Sequence, residues 1–220
     1  MRDAFHDDLD SIGKTLIEMG HRVSRSMELA TTALLTADLQ LAEQVISDDD
    51  YIDTMQHELD AKTLSLLARQ QPVAGDLRTL VTSLRMSADI ERMGDMGHHI
   101  AKIARMRYPE KAVPAELTAT IQEMGNVASR IIEKTTHVIE THDLASAVEL
   151  EKDDDEMDKL HRKLFVTLLD DAWPHGTETA IDMTLLGRYY ERCADHAVSV
   201  ARRVYFLVTG EYASEKEDSF

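Results

Sequence analysis

Four short acidic motifs hold most of the chemistry that this sequence offers. Asp49 with Asp53, Glu91 with Asp95, Asp154 with Asp158 and Glu191 with Asp195 all read Asp/Glu-x-x-x-Asp. On a helix, a spacing of four sets both carboxylates on one face, one turn apart, where like charges repel unless something neutralises them. Converging carboxylate oxygens suit hard or borderline cations, so these eight residues are the candidate metal ligands. The chain has forty-one acidic residues in 220, so some pairs of this spacing arise without function. A solvated acidic helix face is therefore the competing reading, and the positions of the pairs decide between the two.

Other donors add less. His57 follows Asp53, and His98 and His99 follow Asp95, all at helical ligand spacing; His196 sits beside Asp195. These four are candidate accessory ligands. The second half of the chain offers Arg162, Val198 and Ser199 at the places of His57, His98 and His99. Arg92 and Arg192, inside the motifs, are expected to pair with neighbouring acids. Met86, Met93 and Met96 read as packing residues, and Cys193 as a buried, inert thiol. No catalytic constellation stands out: the chain has no nucleophile elbow, P-loop or HExxH.

The elements that position these residues are helices. Apolar residues recur three and four apart from Leu9 through Ile12, Leu16, Met19, Val23, Met27 and Ala30 to Leu34, one face of a long amphipathic helix. Asp38 can cap a second helix that runs toward Arg69. Residues 71–75 (QPVAG) break the pattern, and Asp76 can cap a third. After residues 108–114, which contain two prolines, the cycle repeats: a fourth helix over 115–141, a fifth capped by Asp143 and running toward Asp171, and a sixth over 178–209. With four prolines, nine glycines and no alternating strand pattern, the chain is expected to be all-α. The predicted organisation is a first three-helix bundle over 1–107, a linker over 108–114, a second bundle over 115–209 and a disordered acidic tail over 210–220.

The two halves are copies of one unit. Residues 18–53 match residues 123–158 at fifteen of thirty-six positions without a gap, where about two would agree by chance. The third helices match at an offset of 100, aligning Glu91-Arg92 and Asp95 with Glu191-Arg192 and Asp195. The second copy is thus five residues shorter between its second and third helices. Helices joined by a short turn run antiparallel, so the height of each acidic pair can be compared. The midpoints of the first two pairs average to residue 72, in the turn; those of the second two average to 174.5, also in a turn. Within each hairpin the two pairs are expected to lie level, despite the deletion, and a shared ligand explains that constraint better than a solvated face does.

The formal net charge of −17 opposes binding to nucleic acids and anionic lipids, which are polyanions. No apolar run is long enough to cross a bilayer, the acidic N-terminus does not read as a signal peptide, and the single cysteine fits a reducing compartment. The expectation is a cytoplasmic protein without direct membrane insertion.

The residues Asp89-Ile-Glu91-Arg-Met-Gly-Asp95 and Arg188-Tyr-Tyr-Glu191-Arg-Cys-Ala-Asp195-His196-Ala, the acidic clusters 48–53 and 153–158, and the near full-length duplication resemble the PhoU (PhoY) family of phosphate-uptake regulators. The resemblance implies two three-helix bundles side by side, with multinuclear iron or zinc at the acidic motifs. It also implies a homodimeric, cytoplasmic negative regulator of phosphate import and phosphate-starvation signalling, acting on a membrane sensor histidine kinase and the phosphate ABC transporter. The alternative is a carboxylate-bridged metal enzyme, either redox or phosphohydrolase. A ferritin-like di-metal site needs Glu-x-x-His on each of two helices, and only Glu18-x-x-His21 is present, its repeat partner being Asn126.

Overall fold

The computed structural model describes residues 2–211, with side chains from residue 5 onward, and places them in six long helices. They are α1 (Arg2–Thr36), α2 (Leu39–Gln70), α3 (Gly75–Arg107), α4 (Thr118–Thr141), α5 (Leu144–Leu168) and α6 (Gly176–Thr209), with a single 3-10 turn at Ala115–Leu117 before α4. Among the described residues there is no strand. None of these described helices is long and apolar enough to cross a membrane. The expected acidic tail lies outside the described residues from position 212 on. Gly210, in the left-handed region at φ 79°, ends α6 by donating its N–H to Phe206 O.

Two of the three expected caps form. Asp38 accepts from the Leu41 N–H and Asp143 from the Ala145 N–H. Asp76 instead lies within the first turn of α3, whose N-cap is Ala74 with no side-chain hydrogen bond; there it complements only the helix dipole. The fifth helix stops at Leu168, short of the expected Asp171, because the chain turns to let Asp170 accept from the Ala172 N–H. Asp38→Ala is expected to lower stability by about 1 kcal/mol, read as a drop in the denaturant midpoint at constant slope.

Each half is a three-helix bundle, and the halves are fused through their inner helices. α1 packs on α3 and α4, α3 on α6, and α4 on α6, leaving α2 and α5 as outer helices on opposite sides. One continuous apolar core runs through both halves, from Phe5 to Val204. The expected linker 108–114 also packs: Ala112 and Val113 are buried.

The inner seam explains part of the repeat. The Glu-Met-Gly shared by both copies places Gly20 on α1 against Thr136 of α4, and Gly125 on α4 against Thr31 of α1. A Cβ at Gly20 would lie within contact distance of Thr136 Oγ1 and 3.1 Å from Thr136 Cβ; one at Gly125 would lie 2.5 Å from Thr31 Cγ2. Neither threonine is free to yield. Thr136 is hydrogen-bonded to Ile132 O, and Thr31 to Met27 O and the buried Tyr190 hydroxyl. The two α1–α4 contacts are thus the same contact made twice, related by the duplication.

Candidate metal centres

The outer helices carry the first acidic pair of each copy and the inner helices α3 and α6 the second, so each hairpin brings its four carboxylates together. In the first half, Asp49 on α2 is buried at 6% exposure and accepts a hydrogen bond from His98 Nδ1 on α3. Gly94, one turn before His98, lets α2 approach: a Cβ there would meet Ile52 at 3.1 Å and Asp49 Oδ1 at 3.4 Å. Burial pushes the Asp49 carboxyl up; the His98 hydrogen bond opposes this, and the charges of Asp53 and Asp95 add to it. Burial also raises Glu91, as do Asp95, Asp53 and Asp49, against the pull of Arg92. The four expected residues therefore share one electrostatic neighbourhood. Arg92 bonds Asp95 at 2.8 Å and reaches Glu91 at 3.5 Å, as its sequence position suggested.

The second half repeats the arrangement with less compensation. Burial, followed by the charges of Asp195, Asp158, Glu191 and Asp155, pushes Asp154 up to about 7. Glu191 and Asp195 are likewise raised, first by burial. Glu191 is held by Arg188, while Arg192, expected to pair with an acid, forms no ion pair among the described residues. The Oδ1 of Asp154 is buried without a hydrogen-bond partner. The duplication supplies the reason: His98, which satisfies Asp49, is replaced by Val198.

The candidate histidines divide. His98 joins the first patch: Nδ1 is hydrogen-bonded to Asp49, and the other ring nitrogen, Nε2, is buried and unpartnered. His99 stacks on Tyr189, with centroids 5.1 Å apart. Burial lowers its pKa against the field of Asp95. His57 is exposed and turned to the carbonyl of Asp53 at 2.7 Å. His196 is drawn to Asp89 on α3 at 3.1 Å, beside Arg203 at 2.7 Å. Burial pushes the Asp89 carboxyl up, but the hydrogen bonds from His196 and Arg203 outweigh it and hold the group below the usual carboxylate range.

One donor escaped the sequence reading. His161 on α5 lies three residues beyond Asp158 and seven beyond Asp154, hence on their face of the helix, and its Nε2 is also buried without a partner. It packs against Gly187 of α6, where a Cβ would sit 3.0 Å from its ring. Burial lowers its pKa, as does Arg188, against the charges of Asp158 and Asp195. Each patch thus has one imidazole with an unsatisfied buried nitrogen, from α3 in the first half and from α5 in the second. The helical spacing was the available signal, hidden because Gln56 occupies the equivalent place in the first copy.

Among the described residues, no three His, Cys, Asp or Glu side chains stand in the positions of a formed metal site. The donor set still suits a cation. Carboxylates crowded enough to raise one another, with an orphaned imidazole nitrogen in each patch and an orphaned Asp154 oxygen in the second, are groups that a cation in each patch would satisfy. Cys193, fully buried on α6, has its thiol pushed up to about 12 by burial and is unreactive.

A duplicated six-helix bundle with one acidic patch on each hairpin defines the class of protein. The chain belongs to the PhoU family: the family model described as PhoU domain matches it twice, over residues 16–104 and 121–204. It is 49% identical over 212 residues to the phosphate-specific transport system accessory protein PhoU homolog 2 of Mycobacterium tuberculosis, covering 96% of this chain and 100% of that one. It is 46% identical over 215 residues to PhoU homolog 1 of Mycobacterium leprae, covering 98% and 97%. The crystal structure of PhoU from Pseudomonas aeruginosa superposes with a TM-score of 0.83 at 26% identity, over 94% of this chain and 100% of the other.

Proposed function

We propose that this protein is a cytoplasmic accessory adapter of a phosphate-specific transport system. It restrains phosphate uptake and phosphate-starvation signalling by contacting the phosphate ABC transporter and a membrane sensor histidine kinase, and it works as a homodimer. The observation that carries this reading is identity of 42–49% over nearly the whole chain to proteins bearing that accessory name. Such a role needs surfaces that bind and no reacting centre, in keeping with the lack of a nucleophile elbow, P-loop or HExxH in the sequence. The test is co-purification with membrane components from cells grown with and without phosphate. Phosphate-dependent capture of a transporter or kinase subunit is expected; capture of neither under both conditions would refute the reading.

The acidic patches belong to the same proposal as iron or zinc sites. Asp49, Asp53, Glu91 and Asp95 with His98 would hold metal on one hairpin; Asp154, Asp158, Glu191 and Asp195 with His161 would do so on the other. The cation would supply positive charge that cancels the mutual repulsion of the carboxylates. Protein purified without added metal is expected to contain iron or zinc near stoichiometry by elemental analysis. Glu91→Ala with Asp95→Ala should lose about half of it with helicity retained, because the second patch is untouched. Full retention of metal in that variant would remove the first patch from the proposal.

A further inference from the structure

α3 and α6 cross antiparallel, and the duplication relates the two ends of their seam. At one end Arg107 of α3 is closed by two acids of α6, Asp182 at 2.6 Å and Glu178. At the other end the equivalent positions are changed: Glu178 corresponds to Arg78, Asp182 to Thr82, and Arg107 to Leu207. The acids that would compensate a cation there are gone, and cations have taken part of their place. A groove of about 510 Å³ opens at this end, and Arg78, Arg85, Arg202 and Arg203 all line it. Four guanidinium groups on one groove are an anomaly in a chain of net charge −17.

Two of the four are already spoken for. Arg202 bonds Glu151 at 3.1 Å and Arg203 bonds Asp89 at 2.7 Å. Arg78 and Arg85 have no carboxylate partner among the described residues. Arg78 rests over the Phe206 ring at 5.5 Å and touches the Leu207 carbonyl at 3.5 Å. Seven residues apart, the two stand on one face of α3, about 10 Å from each other along the axis. Beside them on α3, Leu77 and Val81 present apolar surface, 42% and 40% exposed.

We infer that this groove binds a small organic polyphosphate, its phosphates held by Arg78 and Arg85 and its apolar or aromatic part laid on Leu77 and Val81. Guanidinium groups take phosphate oxygens in pairs, and the two-turn spacing matches a polyphosphate chain better than a single phosphate ion. The volume is that of a small-molecule site. An acidic protein segment is the poorer fit, since a bulky polyanion meets the repulsion of the whole acidic surface while a small ligand meets chiefly the local field. This inference stands independently of the adapter role proposed above.

The test is isothermal titration calorimetry of the full chain with adenosine triphosphate, in the presence of EDTA so that the acidic patches cannot contribute through a metal. Saturable 1:1 binding is expected, weakened about tenfold or more by Arg85→Glu and abolished by Arg78→Glu with Arg85→Glu. Pyrophosphate should bind more weakly than the nucleotide, and Leu77→Ser should weaken the nucleotide alone. Arg22→Glu, a charge reversal of equal size far from the groove, should leave binding unchanged. Should the double variant lose helicity, Arg85→Gln alone carries the test, because Arg85 is exposed and unpaired. Absence of saturable binding, equal binding by the Arg85 variants, or a glutamate-rich peptide binding as tightly as the nucleotide would overturn the inference.

Discussion

Replacing both Gly20 and Gly125 by alanine is expected to destabilise the protein by about 2–6 kcal/mol, the sum of two overpacking costs of about 1–3 kcal/mol each. Helix propensity alone predicts the opposite, a gain of about 1 kcal/mol per site, so the sign of the effect separates packing from propensity. The clash should win because each new methyl would meet a β-branched threonine whose hydroxyl is already bonded in place. The two sites lie about 16 Å apart along the seam, given the eleven helical steps from position 20 to position 31, and their costs should add. Denaturant unfolding of the two single variants and the double variant measures this. Thr136→Ala should restore most of what Gly20→Ala loses, because it removes Oγ1 and Cγ2, two of the three close atoms and among them the nearest. A stable double variant would mean that the α1–α4 seam is looser than its glycines imply.

The second large effect is an inverted pH dependence of the metal-free protein. Asp154 has its pKa raised to about 7 in the folded chain against 3.8 as the ordinary value. Between those values the native state binds more protons than the unfolded state, so stability falls as pH rises from about 4 to 7. Asp49, Glu91, Glu191 and Asp195 are shifted the same way. Because the patch is part-exposed, solvent screening reduces the full linkage at Asp154 to about 1–2 kcal/mol. Thermal melts in EDTA should therefore show a higher Tm at pH 5.5 than at pH 8. Asp154→Asn should raise the Tm at pH 8 by about 3–6 °C while changing little at pH 5.5. On the proposed metal reading, added zinc should reverse the trend, since it stabilises the deprotonated carboxylates. A Tm that climbs with pH in EDTA, or an Asn variant less stable at pH 8, would show that Asp154 is satisfied in the folded protein.

The sequence by itself determined the helices, their order and the duplication, because the apolar period of a helix and the Asp38 and Asp143 caps are local signals. It also determined that the acidic pairs lie level in each hairpin, since a short turn forces neighbouring helices antiparallel. Only the tertiary structure decided how the copies meet. The contact of α1 with α4 and of α3 with α6 joins residues about a hundred positions apart, and no local period encodes which faces will touch. That seam explains why Gly20 and Gly125 recur in the repeat. It also decided the chemistry within equivalent positions. His98 satisfies Asp49, whereas Val198 leaves Asp154 bare, and the second patch's imidazole, His161, comes from a different helix than repeat logic would search. The arginine groove had the least signal of all: Arg78 and Arg85 are ordinary surface cations until the fold brings α6 beside them, with no acid paired to either among the described residues.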